Sequence, residues 1–259
     1  MGNIFMKNSI RKVFNLFGYD VLKINPFPAG TPQRPVGNVQ KLLQDIKARG
    51  LICNSILDIG ANNGGWSVMA KGIFPTAKFC LIEPQFELEE NLKSFVNDSK
   101  GSIYFIAGAG FKPEKKYLTI WDDLAGSSFL PKESDTLKEN GKQRQIDIIT
   151  IDDIIKNGKF PIPELVKIDV QGYELEALKG AELLFGKTEV FILECSLFSF
   201  SDVPGMPLIS DIVNFMLDRD YLIYDFPGFA RRPMDGALGQ CDVCFVKRNG
   251  FLRSSNDWI

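Results

Sequence analysis

From Asn38 onward, short apolar runs of strand length alternate with amphipathic stretches of helical length. Val39, Leu42, Leu43 and Ile46 recur at helical spacing and stop at Gly50. Residues 55–59 follow as a buried-strand pattern, then glycines and asparagines, then a helix over about 66–74. Further strand patterns cover 78–82, 102–106, 165–170, 189–195, 221–225 and 241–247. Helical patterns run through Leu88, Leu92, Phe95 and Val96, over 173–185 and over 208–217, while 117–151 reads as strand segments with loops. Strands alternating with helices build βαβ units, and these give a mostly parallel sheet with helices on both faces. With 45% hydrophobic and 24% charged residues, disorder, collagen and coiled coil are excluded. A length of 259 residues with 21 phenylalanines suits one large α/β domain with small appendages.

In open α/β sheets, ligands bind at the carboxyl ends of the strands, so the residues there decide the chemistry. After the first strand comes Asp58-Ile59-Gly60-Ala61-Asn62-Asn63-Gly64-Gly65. Gly60 and Gly64 allow a ligand close to the backbone, and the following helix N-terminus favours a carboxylate or phosphate. A dinucleotide fingerprint needs glycine where Asn62 stands. Asp58 would repel a pyrophosphate but suits a cation, such as the ammonium of an amino-acid moiety. Glu83 ends the second strand, 25 residues after Asp58. An acidic residue there can accept both hydroxyls of a ribose. A ligand with a ribose, an ammonium, a carboxylate and no phosphate is S-adenosylmethionine. The alternative enzyme class is an NAD-linked oxidoreductase.

The chain resembles the FkbM-type S-adenosylmethionine-dependent methyltransferases over about residues 50–247. The resemblance is carried by Leu57 to Gly64, by Ile82-Glu83-Pro84, by Gly126-Ser127-Ser128 and by Ile149 to Asp153. The most specific block is Val166-Lys167-Ile168-Asp169-Val170-Gln171-Gly172-Tyr173-Glu174, followed by Leu178-Lys179-Gly180-Ala181. Cys241 to Val246 is similar to the family's last strand, and Gln171 departs from the glutamate the family often has. The resemblance implies a Rossmann-like class I methyltransferase fold, with a seven-stranded sheet whose last strand is antiparallel. It implies S-adenosylmethionine as cofactor, held by Asp58, Gly60, Asn62, Gly64, Glu83 and Pro84. It also implies a hydroxyl acceptor on a small molecule or a glycan.

The chain has no histidine, so acid–base chemistry falls to carboxylates, Lys, Tyr or Cys. Asp169 ends the fourth parallel strand and is the expected base, with Glu194 at the next strand end and Lys167 on the face of Asp169. Asp169 and Glu194 can offer oxygens to Mg²⁺, but two carboxylates without a third ligand do not define a metal site. Ser127 and Ser128 fit either a ligand contact or a plain turn. Tyr224, Phe226, Phe229, Arg231 and Arg232 fall in a long expected loop, a candidate lid.

Residues 1–50 hold eight basic residues (Lys7, Arg11, Lys12, Lys23, Arg34, Lys41, Lys47, Arg49) against Asp20 and Asp45. Residues 1–36 form a basic amphipathic extension with a Pro/Gly linker, and 37–259 the methyltransferase-like domain. The extension suits a fold-back helix, peripheral contact with an anionic membrane, or, in a third functional reading, a non-catalytic module docking on a membrane or synthase. A net charge of −2 argues against nucleic acid as partner. Five cysteines in apolar runs imply reduced thiols and a cytoplasmic chain. Cys241 and Cys244 are expected on opposite faces of one strand, which opposes a redox or metal pair.

Overall fold

The computed structural model describes residues 34–122, 124–199, 205–255 and 257. The expected amphipathic segment therefore lies outside the described residues. A compact unit spans Pro35–Ile259. It opens with α1 (Val39–Ala48), whose first turn is capped by Asn38: its side chain accepts from Lys41 N at 2.9 Å. Leu42, Leu43 and Ile46 are its buried stripe, as their spacing requires.

Strands β1 (Ser55–Ile59) and β2 (Lys78–Glu83) are joined by α2 (Gly65–Ile73), and α3 (Glu89–Asn97) leads to β3 (Ile103–Ile106). A small excursion follows: β4 (Gly108–Ala109), β5 (Glu114–Thr119), α4 (Asp135–Glu139), β6 (Gln143–Ile149) and α5 (Ile151–Lys156). The main sheet resumes with β7 (Leu165–Ile168), α6 (Glu174–Lys179), β8 (Val190–Ser196), α7 (Ile209–Leu217), β9 (Tyr221–Arg231) and β10 (Leu238–Lys247). Its order is β3-β2-β1-β7-β8-β10-β9, with β10 antiparallel to both β8 and β9. This is the Rossmann-like class I methyltransferase sheet that the resemblance implies. The excursion forms a separate three-stranded sheet, β4-β6-β5.

Alternate residues divide the sheet between two cores. Leu57, Ile59, Val166, Ile168, Leu193 and Val243 pack on one face. Ile56, Leu165, Ile192, Cys244 and Val246 pack on the other. Cys241 and Cys244 fall in different cores, as expected of residues three apart on a strand. All five cysteines are buried and none is in a disulfide. Burial pushes the Cys53 thiol to about 12 and the Cys241 thiol to about 11, so neither is a thiolate at neutral pH.

Two expectations are corrected. The strand expected over 221–225 continues to Arg231, so Phe226 to Arg231 is not a loop but the outer half of β9, and only residues 232–237 turn back into β10. Pro227 and Gly228 hide the strand pattern, yet β9 is an edge strand, where proline costs no ladder bond. The helix expected over 173–185 stops at Lys179. Gly180 is its C-cap, and a Cβ there would lie 2.0 Å from the Gly110 carbonyl oxygen, so only glycine fits that position. Among the described residues, no helix is long and apolar enough to cross a membrane.

Candidate active site

The loop after β1 is shaped by contact with the end of β7. Gly60 has φ +72, and a Cβ there would stand 1.7 Å from the carbonyl oxygen of Asp169. Only glycine fits both constraints. The amides of Gly60 and Ala61 donate to Ile82 O, at 2.9 and 3.1 Å. Asn62, at φ 48, donates its amide to Glu83 Oε2 at 2.8 Å. Glu83 Oε1 accepts from Gln85 N at 3.1 Å and Gln85 Nε2 at 3.0 Å. Burial pushes the Glu83 carboxyl up, and the Gln85 and Asn62 bonds oppose it. Gln85 also donates to Leu124 O, and its Oε1 accepts from Ser127 Oγ at 3.0 Å.

Three cavities meet at Glu194, and this loop lines two of them. The first, about 280 Å³, is lined by Gly60, Asn62, Glu83 and Pro84, by the apolar Leu118, Leu124 and Phe129, and by Asp169 and Glu194. The second, about 200 Å³, lies between Asn62, Trp66, Lys167, Asp169, Glu194 and Asp242. The third, about 520 Å³, opens between the start of α1 and the β9–β10 hairpin, with Phe229, Gln240, Asp242 and Glu194 in its wall. Glu194 lines all three.

Asp58 and Gly64 line none of these three. Asp58 is fully buried, accepts from Ser67 Oγ at 2.6 Å and faces Lys167 Nζ at 3.4 Å. The cation that Asp58 meets is therefore Lys167, not a ligand's ammonium. Gly64 caps α2 in the left-handed region at φ 78, beside Leu81 and Leu92.

Strand register explains how the charged groups meet. Asp58 pairs with Lys167, and Asp242 pairs with Glu194. Lys167 Nζ donates to Gly60 O at 2.7 Å and lies 3.5 Å from Asp169 Oδ2. Burial works against the Lys167 charge, yet Asp58 and Asp169 outweigh it and hold the ammonium above its ordinary value. Gln171 sits at φ 51, with its carbonyl oxygen accepting from Ser128 Oγ at 2.7 Å. Its Nε2 donates to Asp169 Oδ1 and to Glu194 Oε2, both at 2.8 Å. Gln240 Nε2 adds a 2.9 Å bond to the same Glu194 oxygen. Burial, then the charges of Asp169, Glu174 and Asp242, push the Glu194 carboxyl to about 9. Burial and Asp169 raise Asp242 to about 6. Glu174 accepts from the amides of Val170 and Gly172, both at 3.1 Å, and burial lifts it to about 7.

Mg²⁺ does not fit this cluster. Among the described residues, no group of three or more His, Cys, Asp or Glu is arranged to hold a metal. The Gln171 amide nitrogen also stands between the Asp169 and Glu194 oxygens, a donor where a cation needs acceptors. The sequence did not point to Gln85, Gln240 or the acidic role of Asp242. Asp242 was visible only as a residue on the last strand, because its neighbour Glu194 depends on the β8–β10 register.

A search of curated protein sequences finds no match. Solved structures with a similar course include an O-methyltransferase from Bacillus cereus in complex with S-adenosylhomocysteine, at 13% identity and a TM-score of 0.43, covering 93% of this chain and 90% of that one. Another is the O-methyltransferase TomG from Streptomyces achromogenes, involved in tomaymycin synthesis and bound to S-adenosylmethionine; it shows 15% identity and a TM-score of 0.44, covering 92% of this chain and 96% of that one. Aeropyrum pernix fibrillarin with natively bound S-adenosyl-L-methionine gives 13% identity and a TM-score of 0.44, over 80% of this chain and 74% of that one. A sequence profile described as the Methyltransferase FkbM domain matches residues 58–223. That span takes in the glycine loop, Glu83, the Lys167–Glu174 block and Glu194, and the chain belongs to the FkbM methyltransferase family.

Proposed function

We propose that the chain is an S-adenosylmethionine-dependent O-methyltransferase acting on a hydroxyl of a small molecule or a sugar-linked acceptor. One observation carries this reading: buried Glu83 and the Asp169–Glu194 pair line one and the same cavity. Glu83 is suited to ribose hydroxyls, the backbone at Gly60 and Asn62 to the amino-acid portion, and Leu118, Leu124 and Phe129 to a flat apolar ring. When bound, the cofactor supplies an electrophilic methyl on a sulfonium sulfur.

The chain's own residues align and deprotonate. Alignment of an acceptor for in-line attack supplies much of the rate in such a displacement. The third cavity opens to solvent beside half-exposed Phe229 and reaches Glu194 and Asp242, so we assign it to the acceptor. Lys167 ties the glycine loop to Asp169 and fixes where the carboxylates point. Without histidine, the Asp169–Glu194 pair is the local proton acceptor.

The NAD alternative fits less well. In dinucleotide folds the loop amides bind the pyrophosphate. Here the Asn62 amide is committed to the Glu83 carboxylate, and Asn62 stands where the dinucleotide fingerprint needs glycine. The test has two parts. Calorimetry with S-adenosylhomocysteine and NAD should show binding of the first only; the reverse result ends this reading. Label transfer from methyl-labelled S-adenosylmethionine to a panel of sugars, nucleotide-linked sugars and hydroxylated small molecules then seeks the acceptor. On an acceptor so found, Asp169→Asn should lower turnover by about 10²–10⁴ with little change in cofactor affinity.

A further inference from the structure

The charged groups at the cavity junction do not balance. Among the described residues, Lys167 is the one cation that faces them, and it is already shared between Asp58 and Asp169. The donors to Glu194 among the described residues are the neutral amides of Gln171 and Gln240 rather than a cation. Around it stand Asp169 and Lys167 from β7, Glu174 from α6 and Asp242 from β10. One amide nitrogen spans Asp169 and Glu194, which holds two carboxyl groups close enough that both cannot comfortably be ionised. A proton relieves that repulsion in the empty protein. So would a positive charge arriving from the cavities, and Glu194 lines all three.

We propose that Glu194 exchanges its proton for the positive charge of the sulfonium, releasing the proton when S-adenosylmethionine binds and keeping it when S-adenosylhomocysteine binds. The proposal rests on the cofactor reading given above. Its consequence for the transfer step is a conserved cluster charge. The acceptor O–H bond breaks and its proton passes to the vacated carboxylate. The oxygen's electron pair forms the new O–CH₃ bond, and the pair of the broken S–CH₃ bond stays on sulfur, leaving a neutral thioether. The product complex then holds the proton again, which is the state that S-adenosylhomocysteine binding reads. Glu194 thus separates fresh from spent cofactor as well as accepting the proton. The buried position supports this, since burial and neighbouring carboxylates push the Glu194 carboxyl to about 9 before any cation joins it.

The experiment is calorimetry of both ligands with the full chain at pH 7.5, in two buffers of different ionisation enthalpy. About one proton should leave per S-adenosylmethionine bound, and close to none per S-adenosylhomocysteine. Equivalently, affinity for the first should rise about tenfold per pH unit below the Glu194 transition, while affinity for the second stays flat. Glu194→Gln should abolish the release and flatten both profiles. If that variant fails to fold, Gln240→Leu serves instead: removing an amide that favours the charged form should extend the release to higher pH. Equal release for the two ligands, or none for S-adenosylmethionine, overturns the proposal while leaving the cofactor reading intact. If neither ligand binds, both fall.

Discussion

Replacing Lys167 by Met tests whether one buried cation organises the site. Met keeps most of the stem's packing but removes the charge. Wild-type Nζ holds Gly60 O at 2.7 Å, Asp58 Oδ1 at 3.4 Å and Asp169 Oδ2 at 3.5 Å. Solvent cannot replace it, since the Lys167 and Asp58 side chains are 10% and 0% exposed. Breaking a buried pair by removing one partner costs about 3–5 kcal/mol, because the remaining charge is uncompensated. That is a large share of the ~5–15 kcal/mol typical of a domain. Asp58 has one way to relax, which is to take up a proton. Burial already raises its carboxyl, and loss of the ammonium raises it further. For an acid raised in the folded state, the stabilising contribution is complete below its unfolded value and is lost as pH climbs through its folded value. The variant should therefore lie closest to wild type in acid and furthest from it at neutral pH. Urea unfolding followed by circular dichroism measures this, as a shift in midpoint at unchanged slope. Adding Asp58→Asn should restore at least ~2 kcal/mol at neutral pH, a coupling expected only of groups in direct contact. A loss below about 1 kcal/mol, independent of pH and additive with Asp58→Asn, would refute the reasoning.

Three further outcomes are expected. Gly60→Ala places a Cβ 1.7 Å from Asp169 O at φ +72, so S-adenosylhomocysteine affinity by calorimetry should fall at least about tenfold; unchanged affinity would mean that the loop moves freely from β7. Glu83→Ala removes a charge-assisted acceptor and should weaken the same binding by about 1.5–3 kcal/mol, whereas an unchanged dissociation constant would exclude Glu83 as the ribose ligand. Glu174 is raised to about 7 by burial, so its contribution to stability is complete in acid and declines as pH rises through that value; thermal melts from pH 5 to 8.5 should show Glu174→Gln losing part of this decline, and an identical slope in both proteins would count against it.

Much of the sheet was legible because its strands are short apolar runs bounded by glycine, proline or asparagine. β1, β2, β7 and β8 lie within a residue or two of the runs marked by pattern alone, and Asp169 and Glu194 stand at strand ends as that pattern requires. Two kinds of feature were not legible. One was local structure decided by distant contact. Residue 180 must be glycine because the Gly110 carbonyl lies against it, and Pro227 sits in a strand because β9 is an edge of the sheet. The other was partnership. Asp58 looks like a ligand residue in a one-dimensional reading, since it stands beside a glycine loop at a strand end. Only the β1–β7 register reveals Lys167 next to it, and only then does its charge have a protein partner. Gln85 has no motif at all; its importance lies in bridging Glu83, Leu124 and Ser127.

Register also decides what kind of ligand the site favours. Side chains that pair across neighbouring strands share a face, so Asp58, Lys167, Glu194 and Asp242 project to one side of the sheet, with Asp169 just past the end of β7. Reading across β1, β7, β8 and β10, four carboxyl groups meet a single ammonium. That ammonium is spent on Asp58 and Asp169, at the β1 side of the row. The other end, where Glu194 and Asp242 face the largest of the three cavities, is left short of positive charge. A neutral or anionic group entering there meets only amides and carboxyls. A cationic sulfur, or a hydroxyl giving up its proton, meets the charge it lacks. On the function proposed above, the same imbalance that costs stability as the pH rises suits the strand ends to bind a sulfonium and to receive a proton.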